Sequence, residues 1–480
     1  MPVGFAATSR ARRAAVVALV SVISWLVLPV AAGRTRSVST FAHAENIGTE
    51  GYVYGIPLME FLNSAREQAS VTVPNSFGDA PVNQLGNDRY LVSPGDPFVI
   101  QPNNDTLYSP AHLDLSQGPL VLHVPAMAHH RYYSFQFIDP YTNVFAYVGT
   151  RATGDGAGNF LIAGPDYQGP VPQGMREIRS AYDLVWLLGR TLVYGPSDLP
   201  KVRRIQDAYR LLPLPEYETH GLGWRPPTPS RVLTVPTPSA VPRGLAFFDA
   251  LGTALTENPP PARDAAILAT LRSVGIGPGL QPSQERMGTR VKLGLAAAAY
   301  GGAAAVAKLK AQIVQKSVHA THGWFVPPPA TGAFGTDYDL RAVIALNGIA
   351  ANRPAEAVYS IGLTDSALTN LDGAHDYVIH FPAKNLPPAR YFWSLTMYDH
   401  SFELVENPID RYEIGNRTAG LHRSRNGSLD LYLSHTPPPG HQSNWLPAPA
   451  GGFEVTLRMY GPLRSVLAGR YRYPRIVETS

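Results

Sequence analysis

The densest run of hydrogen-bonding side chains is Gln101-Pro-Asn-Asn-Asp-Thr-Leu-Tyr108. As chemistry it offers Asp105 as a general base or ligand, oriented by Asn104, Thr106 and Tyr108. Asn and Asp also cap backbone groups in tight turns, so the same run reads as a structured loop. A second candidate is Arg131-Tyr-Tyr-Ser-Phe-Gln-Phe-Ile-Asp139, followed by Tyr141-Thr-Asn143. On a strand, alternate residues share a face. Tyr133, Phe135 and Phe137 then form an aromatic face, and Tyr132, Ser134, Gln136 and Ile138 a polar one. Arg151 and Arg190 are candidate holders of a carboxylate or other anion, or partners of a buried Asp. Near the C-terminus, Trp393, Thr396, Tyr398, Asp399 and His400 close a strand, Arg411, Tyr412 and Arg417 follow, and then Asn444 and Trp445. A carboxylate, guanidinium groups and tryptophans at strand ends have the makeup of a cleft lining.

Familiar signatures are missing. The chain has no cysteine, which excludes disulfides, thiolate metal sites and a cysteine nucleophile. There is no His-Glu-x-x-His helix, Gly-x-Ser-x-Gly elbow, Walker loop or dinucleotide-binding glycine fingerprint. His319 and His322 have helical ligand spacing but stand beside Gly323 at a domain edge. No metal site and no cofactor are assigned.

These residues need elements to position them. Hydrophobic residues make up 45% of the 480 and charged ones only 16%, which gives real cores and excludes wholesale disorder. The 43 Gly and 45 Pro favour a turn-rich chain with much β structure. Residues 1–32 read as a signal peptide: Arg10, Arg12 and Arg13, an apolar run from Ala14 to Leu28, then small residues before Gly33. The alternative is a retained single-span anchor. Removing those three arginines leaves a net charge of +1, so no basic footprint for nucleic acid remains. Residues 33–69 read as a linker and an N-terminal helix, which Gly55-Ile-Pro57 should kink or divide. Short apolar runs with regular breakers over 70–198 read as an immunoglobulin-like β-sandwich. Residues 199–320 are helical, interrupted by a Pro-rich loop at 213–242. Residues 321–480 return to strands, Arg341–Leu346 among them, and suit a jelly-roll-like double sheet. The fold class is thus mainly β with a helical domain.

Two parts of the chain resemble a known family. Pro102–Tyr108, Gly118–Pro125, Arg131–Tyr133, Tyr141–Asn143 and the glycines from Gly149 to Gly164 are similar to domain of unknown function 1254. Phe392–Asp399, Asn407-Pro408, Arg411-Tyr412, Gly427–Leu429 and Asn444–Pro447 are similar to domain of unknown function 1214. The resemblance implies the same three-part fold and an oligomer, and it carries no reaction. His112, His129 and His130 fall where aromatic or loop residues are expected in the family, so they are not assigned as shared ligands.

The expected protein is exported, secreted or in the cell envelope, and takes a small-molecule or polymer ligand in a cleft between its β domains. It has no membrane span once the signal is removed. Hydrolysis or acid–base chemistry would use Asp105, Tyr108 and Asp399, with Asn104, Tyr133, Trp393, Arg411 and Trp445 binding substrate. The alternatives are a non-catalytic binder of a glycan or lipophilic chain, and a structural oligomer.

Overall fold

The computed structural model describes residues 35–96, 101–233 and 240–479. The expected export signal lies outside the described residues. Among the described residues the chain forms seventeen strands in four sheets and eight α-helices.

The first helix, α1 (Thr35–Gln68), precedes an N-terminal sandwich of eight strands: β1 (Thr106–Asp114), β2 (Leu120–Val124), β3 (Tyr133–Ile138), β4 (Val144–Gly149), β5 (Gly158–Ala163), β6 (Arg176–Arg179), β7 (Leu184–Leu192) and β8 (Arg210–Pro213). One sheet has the order β1-β7-β3-β4 and the other β6-β5-β2-β8. Strict alternation sends Tyr133, Phe135 and Phe137 of β3 into the apolar core between them, with Leu122, Val124 and Leu187. The short α2 (Leu199–Ala208) and α3 (Leu214–His220) flank β8.

The helical layer consists of α1, α4 (Leu245–Glu257), α5 (Ala265–Arg272), α6 (Thr289–Thr321) and α7 (Tyr338–Gly348). They share one apolar core that reaches Ile138, Tyr141 and Trp186 of the first sandwich. At its centre Arg341 is fully buried, with its guanidinium 5.0 to 5.4 Å from the ring centroids of Tyr54, Tyr141 and Tyr338. The Tyr54 and Tyr338 hydroxyls donate to the same carboxylate, Asp264, at 3.0 and 2.9 Å. The faces of the rings accept the charge, and the carboxylate collects the hydroxyls.

The C-terminal sandwich has nine strands: β9 (Trp324–Phe325), β10 (Ala357–Gly362), β11 (Tyr377–Phe381), β12 (Ala389–Asp399), β13 (Glu413–Gly415), β14 (Leu429–Ser434), β15 (Trp445–Pro447), β16 (Phe453–Pro462) and β17 (Ile476–Glu478). Its sheets run β13-β12-β16-β10-β9 and β15-β14-β11-β17, and α8 (Arg464–Leu467) follows β16. Trp393, Leu395, Met397, Val455, Leu457 and Met459 fill the space between the sheets.

Three local readings of the sequence need correction. The α1 helix starts at Thr35, inside the stretch read as a linker, and runs unbroken through Pro57. A helical proline removes one backbone hydrogen bond; here Ile56, Leu58, Met59, Phe61 and Leu62 are all buried, and their packing outweighs that loss. Arg341–Leu346 is helical, not a strand. The Asp337 side chain accepts from the Leu340 N–H and starts α7, and a short apolar run carries no period that separates helix from strand. Finally, the Pro-rich stretch after β8 opens with the short helix α3.

The α1–α6 crossing is close enough to need glycine at Gly48, Gly294 and Gly302. A Cβ on Gly302 would stand 2.3 Å from the Tyr52 ring, and that ring is stacked on Phe247 at 4.6 Å. Gly302→Ala should therefore destabilise the fold by about 1–3 kcal/mol in chemical denaturation. Gly301→Ala, at an exposed position with open space around it, should leave stability unchanged or raise it.

Candidate functional site

The β1-β7-β3-β4 sheet and the β13-β12-β16-β10-β9 sheet each have one apolar face turned into their own sandwich. The other face of the first sheet is shared: Ile138, Trp186 and Leu188 pack on the helical layer, and the polar part around Arg190 faces the second sandwich. On β16 the alternation that buries Val455, Leu457 and Met459 in the core leaves Glu454, Thr456, Arg458 and Tyr460 for the opposite side. On β12 the same rule presents Ser394, Thr396 and Tyr398, and on β10 Tyr359. Cross-strand register sets Arg458 beside both Ser394 and Tyr359. From the first sandwich, Arg190 lies beside Tyr108 on one neighbour and Ser134 on the other. A polar seam results, buried between two domains.

Asp105 crosses it. Its side chain is fully buried. One oxygen accepts from the Ser394 hydroxyl at 2.6 Å and the other from Arg417. Arg417 also donates to the Val193 carbonyl at 2.7 Å and lies over the Phe392 ring at 4.7 Å. Glu413 stands 3.6 Å from the same guanidinium, and its second oxygen is buried with no partner. Burial, followed by the nearby Asp105 charge, pushes the Glu413 carboxyl up to about 8. Burial likewise pushes Glu454 up to about 7.

Further along the seam Arg151 pairs with Glu356, whose other oxygen accepts from the Tyr132 hydroxyl at 2.8 Å. Arg458 donates to the Thr396 hydroxyl at 2.7 Å, the Tyr398 hydroxyl at 2.6 Å and the Gln101 carbonyl at 3.0 Å. Asn103 donates to the Tyr460 hydroxyl at 2.6 Å. Tyr108 and Tyr359 are only partly covered, although Tyr108 lies deep among protein atoms on every side. Tyr359, Tyr108, Tyr460 and Tyr132 all stand within electrostatic reach of Arg190. A surface cleft of about 430 Å³ is lined by His130, Tyr132, Asp155, Tyr194, Arg390 and Tyr391.

The eight residues singled out from the sequence divide. Asp105 and Tyr108 lie in the seam, with Asn104 directly before Asp105 in sequence and its side-chain carbonyl oxygen buried without a partner. The other five are elsewhere. Tyr133 is in the core of the first sandwich, its hydroxyl donating to the Gly154 carbonyl at 3.3 Å. Trp393 is in the core of the second, beside Phe381. Trp445 is buried, its indole N–H donating to the Ser434 carbonyl at 2.9 Å. Arg411 donates to the carbonyls of Gln442, Ser443 and Trp445 and so ties two loops together. Asp399 caps the turn after β12, accepting from the Ser401 and Glu403 amides. It lies five residues beyond Ser394, about 17 Å along the strand, so it shares no small site with Asp105.

The sequence reading missed Glu413, Glu454, Arg458, Tyr359 and Tyr460. The signal for three of them was present: Phe453–Tyr460 alternates apolar and polar without a break. His112 is a core histidine. It stacks on Trp186, bonds Gln68 of α1 at 2.9 Å, and burial pushes its pKa down to about 3.

Residues 82–213 match the family described as "Protein of unknown function (DUF1254)", and residues 356–464 match "Protein of unknown function (DUF1214)". The chain belongs to these families, the first N-terminal and the second C-terminal. The crystal structure of VPA0106 from Vibrio parahaemolyticus is similar at 24% identity, with a TM-score of 0.66, over 91% of this chain and all of that one. A putative uncharacterized protein from Burkholderia cenocepacia aligns at 13% identity, with a TM-score of 0.44, over 93% of this chain and 96% of that one. A search of curated proteins returns no match. No described helix is long and apolar enough to cross a membrane.

Two outcomes follow. Arg417→Met leaves the Asp105 charge buried and should cost about 3–5 kcal/mol; adding Asp105→Asn should recover part of that in a double-mutant cycle. The folded pKa of Glu413 lies above its unfolded value of 4.5. Its stabilising contribution is therefore fully present below pH 4.5 and is lost as pH rises through about 8. Thermal melts of wild type and Glu413→Gln should diverge between pH 5 and 8, with the wild type falling. Parallel curves would mean that Glu413 titrates normally.

Proposed function

We propose that the protein encloses a small polar organic molecule in a recess at Tyr108 and Tyr359, between its two sandwiches. One observation carries this reading: Tyr108 and Tyr359 retain accessible surface at a depth where neighbouring side chains are covered. A seam built only to join domains would be closed there. Guanidinium groups, hydroxyls and carboxyls in the seam favour a polar ligand over a lipophilic chain. Native mass spectrometry of the purified protein, followed by denaturation and identification of what is released, tests it. A stoichiometric polar compound is expected. Release of a long-chain lipid would overturn the reading.

Acid–base chemistry on that molecule is a second reading, favoured by Glu413. Asp105 has both oxygens occupied, by Ser394 and Arg417, and so makes a poor base. Glu413 shares Arg417 with it and carries a proton at neutral pH, which equips it as a proton donor. If the released compound is also the substrate, Glu413→Gln should keep its binding and slow its conversion at least a hundredfold, read by mass spectrometry of the mixture over time. Equal conversion by both proteins would remove Glu413 from the chemistry. Export, through the N-terminal run, and assembly into an oligomer remain part of the proposal.

A further inference from the structure

We infer that Arg190 anchors an anionic group, a carboxylate or a phosphate, of the molecule held in the recess. The inference rests on the recess being a ligand site and adds the class of ligand.

Arg190 sits in the middle of the sandwich sheet, on β7, and is 6% exposed. Its guanidinium donates to the Gln136 side-chain carbonyl at 2.6 Å and to the Ala350 backbone carbonyl at 3.2 Å. It lies over the Tyr108 ring at 5.6 Å. All of these partners are neutral. Three other arginines of this region have a carboxylate: Arg131 with Asp198 at 2.5 Å, Arg151 with Glu356 and Arg417 with Asp105. Among the described residues none stands within 4 Å of Arg190. Taking a guanidinium out of water costs several kcal/mol unless a counter-charge is close. Neutral carbonyls and a ring face offset part of that, and an anion in the recess would supply the rest.

The opposite sheet adds to the field. Arg458 also bonds only neutral groups, and its guanidinium lies 5.9 Å from the Tyr359 ring centroid. Asp105, which acts on Arg458 across the seam, is already paired with Arg417. Glu413 and Glu454 are held up toward neutrality by burial, so they cancel less positive charge than their number implies. Four guanidinium groups, from Arg151, Arg190, Arg417 and Arg458, thus lie along the seam with four carboxyls, Asp105, Glu356, Glu413 and Glu454, of which burial favours the neutral form in the last two. A planar carboxylate suits the two-pronged guanidinium, and phosphate shares that chemistry.

The test is calorimetric titration of the full chain, at low salt, with benzoate, acetate and inorganic phosphate, and with benzamide and acetamide as uncharged controls. At least one anion should bind tenfold or more tightly than its uncharged counterpart. Arg190→Gln should abolish that preference, Arg190→Lys should keep part of it, and Lys201→Gln, on the exposed α2 surface, should leave it intact. Benzoate or acetate binding without phosphate identifies a carboxylate site, and the reverse a phosphate site. Equal binding of anions and amides, or an unchanged preference in a folded Arg190→Gln protein, would overturn the inference and leave the recess as a site for a neutral ligand. If neither anion nor amide binds and nothing is released on denaturation, the recess itself is not a ligand site and both readings fall. The comparison of anion with amide on the wild type stands even if the Arg190 variants fail to fold.

Discussion

Asp105 and Arg417 meet inside the protein, one from each sandwich, and the arrangement of the whole seam follows from that pair. A carboxylate with no exposed surface needs both its oxygens answered. The answers come from Ser394 and Arg417 of the other domain. Separating the domains would strand a charge on either side. Glu413 stands beside the same guanidinium, and burial, with the Asp105 charge second, pushes its carboxyl up.

The seam is an unusual way to join two domains. Apolar faces would bury as well and at less electrostatic cost, since buried ion pairs often contribute little net stability. What polar faces add is register. Each guanidinium fits one set of acceptors, so the two sheets dock in one geometry. The helical layer uses the same device at Arg341, where three rings and a shared carboxylate replace a direct ion pair. Tyrosine serves both places because its ring accepts a cation and its hydroxyl bonds an acid.

Much of the fold was legible because sandwiches announce themselves by alternation. Tyr133-Ser-Phe-Gln-Phe137 gave a strand and its two faces, and the polar face, with Ser134 and Gln136, does line the seam. Arg151 could be named as a carboxylate holder from its type alone, and it pairs with Glu356. Trp393, Trp445 and Arg411 could not be judged that way. They have the chemistry of a binding cleft, but two fill cores and the third clasps backbone carbonyls. Asp399 stands near the Ser394 strand in sequence, yet strand rise carries it too far along β12 to join Asp105.

What the sequence determined by itself was local: the strands and their faces, the Ala-rich helix, and a charge near zero once the N-terminal run is set aside. Period two and turn residues act within a few positions, so a single chain segment displays them. Which polar faces meet was decided only by tertiary structure. Asp105 and Arg417 are 312 positions apart, and no local pattern records that pairing. It arises where the part of the first sheet that the helical layer leaves uncovered, polar around Arg190, faces the polar side of the second.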